Sequence, residues 1–124
     1  MNRPLDKINL MIVAAGLGIG GAEVVIQRLA ESLDRERFNL TICCIKMLGP
    51  IGEKLAAEGL DIIVLSDPDN PKHGYLTFLR LLKLIRARRI DVIHTHTSDA
   101  LFDAGLCRLL QRRARLIHTF HFGN

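Results

Sequence analysis

Two hydrophobic periods alternate along the chain. Ile8-Asn9-Leu10-Met11-Ile12-Val13-Ala14-Ala15 is a nearly continuous apolar run, the pattern of a parallel strand buried on both faces. From about Ala22 to Leu33 the period changes. Ala22, Ile26, Leu29 and Leu33 recur at 4-3-4 spacing while Glu23, Gln27, Glu31 and Asp34 look outward, which predicts an amphipathic helix. Asp34-Arg35-Glu36-Arg37 is a charged connector to a second strand, Phe38 to Ile45, rich in β-branched and apolar residues. Gly49-Pro50-Ile51-Gly52 reads as a turn into a short helix, Ile51 to Glu58, stopped by Gly59. Leu60 to Leu65 is a third strand. Ser66-Asp67-Pro68-Asp69-Asn70-Pro71 follows as a loop, because two prolines among Asx residues continue no regular element. A longer helix is expected from about Tyr75 to Arg89, burying Phe78, Leu82 and Ile85, with Leu81 and Leu84 widening the stripe. Asp91 to His96 is a fourth strand, and a fourth helix runs from about Ser98, its expected cap, to Gln111. Arg115 to Phe120 completes the set as a fifth strand.

Strands alternating with helices imply an α/β fold with a doubly wound parallel five-stranded sheet, a Rossmann-like half of order 3-2-1-4-5. Ligands of such sheets bind beyond the strand C-terminal ends, at the switch point between the first and fourth strands. Gly16-Leu17-Gly18-Ile19-Gly20-Gly21 stands at one of those ends and His94 and His96 at the other. No helical pattern follows the fifth strand, so one of its sides is expected to be bare unless another domain or chain packs there. Residues 1–124 read as a single domain, the first half of something larger.

Composition narrows the class. With 48% apolar and 24% charged residues, the chain is an ordinary globular protein rather than a disordered one. It has no Trp and one Tyr, which excludes a platform of stacked aromatic rings for carbohydrate. Cys43, Cys44 and Cys107 show no metal spacing; the first two are strand neighbours expected on opposite faces, as reduced, buried thiols of a cytosolic protein. Arg3 and Lys7 before an uncharged stretch resemble a signal peptide, but Asp6 interrupts the charge and glycines fall where the apolar helix of a signal should continue. A first parallel strand explains the run better.

Two readings of the glycine turn stand. Glycines allow close backbone approach and a helix N-terminus offers N–H groups to an anion; alternatively, the turn only lets the helix pack on the strand. Gly16, Gly18 and Gly21 also satisfy the dinucleotide fingerprint, but the acid that should close the second strand is missing, since Cys43-Cys44-Ile45-Lys46 is followed by no acid before Glu53. His94 and His96 share one strand face, and His118 and His121 close the fifth strand beside them. Such imidazoles bind metal, form hydrogen bonds at strand ends, or orient a sugar hydroxyl; no Asp, Glu or Cys of suitable spacing completes a zinc set. Ser98 and Asp99 read as a helix start, not as parts of a nucleophilic triad. Between Arg80 and Arg115 nine Lys or Arg face three acids, within a chain of net charge +4. Cations at helix ends complement the helix dipole, or Arg108, Arg112 and Arg113 form a patch for anionic lipid or a phosphate-bearing acceptor. Nucleic acid is not expected, because no aromatic residues are interleaved with the charges.

Three segments together resemble the N-terminal domain of family 4-like glycosyltransferases, retaining enzymes of the GT-B architecture. They are Gly20-Gly21-Ala22-Glu23 with the helix to Leu33, Asp91-Val92-Ile93-His94-Thr95-His96, and Leu116-Ile117-His118-Thr119-Phe120-His121. The resemblance implies transfer of a sugar from a nucleotide-sugar donor to a glycan or lipid-linked acceptor, with no cofactor and no obligatory metal. By position, Gly20 and Gly21 would lie against the donor phosphates and sugar, His121 would contact the donor sugar, and His96 and His94 would face the acceptor. It also implies a cytoplasmic setting, peripheral at the inner membrane face, in cell-envelope polysaccharide synthesis. The family's second domain, with its nucleotide pocket and Glu-x7-Glu motif, has no counterpart in these 124 residues. The chain is therefore expected to be a fragment of a longer enzyme or one half of a split one, inactive alone. A non-catalytic Rossmann-like binding module and a nucleotide-cofactor domain are the alternatives.

Overall fold

A computed structural model describes residues 7–18, 21–66 and 75–121. Strands and helices alternate along it: β1 (Ile8–Gly16), α1 (Gly21–Ser32), β2 (Phe38–Met47), α2 (Gly49–Ala57), β3 (Asp61–Val64), α3 (Tyr75–Ala87), β4 (Val92–Thr95), α4 (Ser98–Leu110) and β5 (Arg115–His118). Every strand pair is parallel and the sheet order is β3-β2-β1-β4-β5, as the alternation predicts.

The sheet separates two cores because successive strand residues point to opposite faces. On one face Met11 and Val13 join Cys43, Ile93 and the inner residues of α3 and α4, including Leu81, Ile85, Ala100, Ala104 and Cys107. On the other, Ile12 and Ala14 join Cys44, Ile26 and Ala30 of α1, and Leu55 of α2. Cys43 and Cys44 thus divide between the cores as expected. Met11, Ile12, Val13 and Ile93 are fully buried, and each such side chain contributes about 1.5–3 kcal/mol through loss of apolar surface to water. Right-handed crossovers explain the division, since β1, β2 and β3 are wound in one direction and β4 and β5 in the other.

Coverage of the sheet is uneven. α1 and α2 lie over its β1–β3 side, while β5 forms the opposite edge. Leu116 packs into the α3–α4 core, whereas Ile117, on the other face, is 53% exposed. At the N-terminal end of the sheet Asn9 ties three elements together. Its N–H donates to Asp91 Oδ2 at 2.9 Å, its side-chain amide donates to the Arg89 carbonyl at 3.0 Å, and its Oδ1 accepts from Asn39 at 3.0 Å.

Several boundaries differ from the sequence reading. β2 continues to Met47, and α2 begins at Gly49 rather than after a separate turn; Pro50 suits a first-turn position, where its missing N–H costs nothing. The cap of α4 is Thr97, not Ser98: the Thr97 hydroxyl accepts from the Ala100 N–H at 3.4 Å with Thr97 in extended conformation. β5 ends at His118, leaving Thr119 to His121 irregular. No helix among the described residues is long and apolar enough to cross a membrane.

Candidate functional site

The turn after β1 is anchored through Gly16 and Leu17. Gly16 pairs with Met47 across a register shift. A Cβ there would lie 2.7 Å from the Met47 side chain and 2.9 Å from its carbonyl oxygen, so this position admits only glycine without movement. The next residue, Leu17, is fully buried. Its N–H donates to the Leu48 carbonyl at 3.2 Å, and its carbonyl accepts from the N–H groups of Ile51 at 3.1 Å and Gly52 at 3.3 Å. Those donors belong to the first turn of α2 and have no partner inside that helix. Gly49 makes this contact possible, with φ of +72°; a Cβ at this residue would meet the Leu17 oxygen at 2.2 Å.

Past this anchor the two described glycines leave room for a side chain. A Cβ on Gly18 or on Gly21, the first residue of α1, would meet nothing within 4 Å. Gly21 is therefore not a packing glycine, and close packing belongs to Gly16, against β2 rather than against a helix. Gly20 lies outside the described residues. A small cavity of about 190 Å3, lined by Ala15, Gly16, Gly18, Glu23, Lys46 and Met47, opens at this corner.

β4 lies directly beside β1, with Val13 opposite Thr95, so the histidines that end β4 share the rim with the glycine turn. His94 and His96 project from one face with ring centroids 4.2 Å apart. His94 stands opposite Ile12 in register, which places both histidines on the α1–α2 side of the sheet. Thr119, the residue after β5, offers its hydroxyl to His94 Nε2 at 2.7 Å. His121 Nε2 lies 2.9 Å from His96 Nδ1, the two rings stacked at 5.2 Å. His118 points to the other face, where its Nδ1 meets the hydroxyl of fully buried Thr95 at 2.7 Å. Of the four imidazoles proposed from the sequence, three therefore converge and one does not.

His96 is the most constrained member. It is 4% exposed, and its Nε2 is buried without a hydrogen-bond partner. Burial, and then the nearby His94, His121 and His118, push its pKa down to about 4 from an ordinary 6.5. Burial lowers the His94 pKa as well, with His118 and His121 adding to the effect. A neutral imidazole with one unused nitrogen accepts or donates one hydrogen bond according to its tautomer. Among the described residues no three His, Cys, Asp or Glu side chains are disposed to hold a metal ion. The thiols are poor nucleophiles: burial raises Cys43 above its usual range, Cys44 to about 11 and Cys107 to about 12.

A hollow of about 610 Å3 lies at the opposite end of the sheet among Lys7, Arg35, Thr41, Asp61 and Arg88. Its Arg88 is already ion-paired with Asp61, and strand N-terminal ends are the wrong end for a ligand in this architecture. Arg108, Arg112 and Arg113 are exposed and lie at or just beyond the C-terminus of α4, away from the rim; Arg113 pairs with Asp91 at 3.3 Å. Thr95, Thr119 and the Leu17–Gly49 contact were not among the residues singled out from sequence. Period-two spacing across paired strands would have set Thr119 beside His94, but the Leu17–Gly49 contact joins two loops and leaves no periodic trace.

No curated protein matches the chain. The family model described as Glycosyltransferase Family 4 matches residues 19–124. That span runs from the glycine turn through α1 to the three converging histidines, and it covers most of the chain. The protein belongs to Glycosyltransferase Family 4.

Proposed function

We propose that this glycosyltransferase-type domain is the acceptor-side half of a retaining enzyme that moves a sugar from a nucleotide-sugar to a glycan or lipid-linked acceptor. One observation carries the reading: a buried, neutral His96 with an unused Nε2 is coupled to His121 on the same rim as Gly18 and Gly21, where an added side chain would meet nothing. In this reading the turn at Gly18, Gly20 and Gly21 backs the donor diphosphate, where N–H groups opening α1 favour negative charge. His121 contacts the donor sugar and is held in place by His96. His94, fixed by Thr119, faces the acceptor. The end of β2, Lys46-Met47, carries no acid to hold a ribose, which weighs against a dinucleotide cofactor.

The leaving diphosphate must be held and water excluded during transfer, and a single sheet rim supplies one wall of such a cleft. The 124-residue chain by itself is accordingly expected to transfer no sugar, and a second GT-B domain or a partner subunit supplies the other wall. The setting proposed is the cytoplasmic face of the inner membrane, with Arg108, Arg112 and Arg113 toward anionic headgroups.

The test uses isotope-labelled chain titrated with a panel of nucleotide-sugars, followed by backbone amide and histidine ring resonances. Shifts centred on Gly16, Gly18, Gly21, His94, His96 and His121 are expected. In membranes from cells expressing the gene, His121→Ala should lower incorporation of labelled sugar by about 100-fold, the scale of losing one positioned donor, while far-UV circular dichroism shows the chain still folded despite the lost contact with His96. Perturbations confined to the far end of the sheet, or unaltered incorporation by His121→Ala, would refute the assignment.

A further inference from the structure

Thr95 is an interior residue with a hydroxyl that packing does not require. It is fully buried in β4, faces the same core as Ile93 and stands in register beside Val13 of β1. A valine fills such a space with the same shape and no polar atom, whereas a buried hydroxyl is costly unless it is hydrogen-bonded. The Thr95 hydroxyl is satisfied across the strand. Its register partner in β5 is His118, whose Nδ1 lies 2.7 Å from Thr95 Oγ1, and the Ile117 carbonyl accepts from the same hydroxyl at 3.4 Å.

A hydroxyl has one proton, and a carbonyl only accepts. Both contacts are therefore made only when His118 Nδ1–H donates to Oγ1 while the hydroxyl donates to Ile117. Buried Thr95 thus fixes the orientation and the tautomer of a half-buried imidazole, and Nε2 is left as the bare nitrogen of the neutral ring.

The His118 ring in turn guides the chain beyond β5. Thr119 keeps one backbone bond, from its N–H to the Thr95 carbonyl at 3.0 Å. Past it the chain is irregular, and side chains set its course. Thr119 meets His94 on one face, Phe120 meets His118 on the other, and His121 returns to His96. The Phe120 and His118 centroids are 4.4 Å apart at 83°, the edge-to-face geometry that aromatic pairs favour.

We infer that Thr95 is a positioning residue for His121: its buried hydroxyl orients His118, the His118 ring holds Phe120, and Phe120 directs the chain so that His121 meets His96. The inference rests on the proposed contact of His121 with donor sugar only for its effect on transfer, because the orientation itself is measured without sugar.

Thr95→Val removes the hydroxyl and keeps the shape, whereas Thr95→Ser keeps the hydroxyl. Isotope-labelled chain is followed by long-range proton–nitrogen spectra at about pH 8.5, where an ordinary imidazole is neutral. In wild type and Thr95→Ser, His118 should show a protonated Nδ1 and a bare Nε2. In Thr95→Val that preference should be lost, and the Phe120 and His121 ring resonances should move. Incorporation of labelled sugar in membranes from expressing cells should fall by about tenfold or more in Thr95→Val, an effect of misplacement. In Thr95→Ser it should stay within about twofold of wild type. Adding Thr95→Val to His121→Ala should lower incorporation no further, because both changes act through one group. Far-UV circular dichroism is expected to stay native in both variants, since Val matches the shape of Thr and Ser is smaller. An unchanged His118 ring or unmoved His121 resonances in Thr95→Val would overturn the inference, as would an equal loss of incorporation in Thr95→Ser. Moved His121 resonances in Thr95→Val, together with unaltered incorporation by His121→Ala, would uphold the positioning and refute the donor contact.

Discussion

The glycines of this chain fall into two classes that one pair of substitutions separates. Gly49→Ala should damage folding, because it acts on two features at once. An L-residue at φ of +72° is strained by about 1–2 kcal/mol. The new Cβ, 2.2 Å from the Leu17 oxygen and 2.6 Å from the Gly18 nitrogen, also drives Leu17 away from α2. The N–H groups of Ile51 and Gly52 then lose their acceptor, at about 0.5–1.5 kcal/mol for each bond. The combined loss is about 2–5 kcal/mol, a large share of the 5–15 kcal/mol typical of a domain. Urea unfolding followed by circular dichroism measures it: with a slope of about 1.5 kcal/mol per molar, the midpoint should fall by about 1.5–3 M. Gly18→Ala is the control. Its Cβ enters open space, so the midpoint should move by no more than about 0.3 M, the surface-substitution range, while nucleotide-sugar shifts at the rim are lost. Equal midpoints for the two variants would refute the distinction between folding and ligand glycines.

Protonation of His96 supplies a second outcome. Its pKa is lowered on folding from 6.5 to about 4, so the unfolded chain takes the proton first and stability declines as pH falls through that window. The loss is about 3 kcal/mol when complete; His96→Gln should lose correspondingly less than wild type between about pH 7 and pH 4 in paired urea titrations, and parallel pH curves would contradict the argument. Cys43, Cys44 and Cys107 are buried with raised pKa values, so a thiol reagent at mildly alkaline pH should label the native chain only as fast as it unfolds, and rapid native labelling of any of them would count against the burial described. Thr97→Ala should lower stability by about 0.5–1 kcal/mol through its lost cap, measured by thermal melting, whereas Ser98→Ala should leave the melting temperature near wild type; the reverse order would restore Ser98 as the cap.

The architecture was legible because each element carried its own periodic signal. β1 is apolar on both faces and so reads as central, and α1 and α3 repeat apolar residues at helical spacing. Even the opposite orientations of Cys43 and Cys44 follow from period two. Pairing of His94 with His96 was legible on the same ground. The coupling of His96 to His121 was not, because His121 lies past the end of β5 in irregular chain, where alternation no longer dictates direction. The outward exposure of Phe102 and Leu109 on α4, 70% and 67%, was not legible for a different reason. An apolar stripe is ordinarily assigned to a core, and α4 already buries Ala100, Ala104 and Cys107, residues too small to compete with Phe102 and Leu109 in a hydrophobicity pattern.

The histidine pair constrains what the rim can recognise. A 2.9 Å contact between His96 Nδ1 and His121 Nε2 holds one proton, so one ring donates and the other accepts. If His96 donates, its buried Nε2 is a bare lone pair that needs a donor. If His121 donates, the neutral His96 carries its own proton on Nε2 and needs an acceptor. A carboxylate or phosphate oxygen satisfies only the second arrangement and an ammonium only the first. A hydroxyl serves both, and it does so without fixing the tautomer in advance. The neutral form is favoured because burial penalises the cation and the neighbouring histidines add to that penalty. A hydroxyl group is thus the partner that matches this nitrogen in either state.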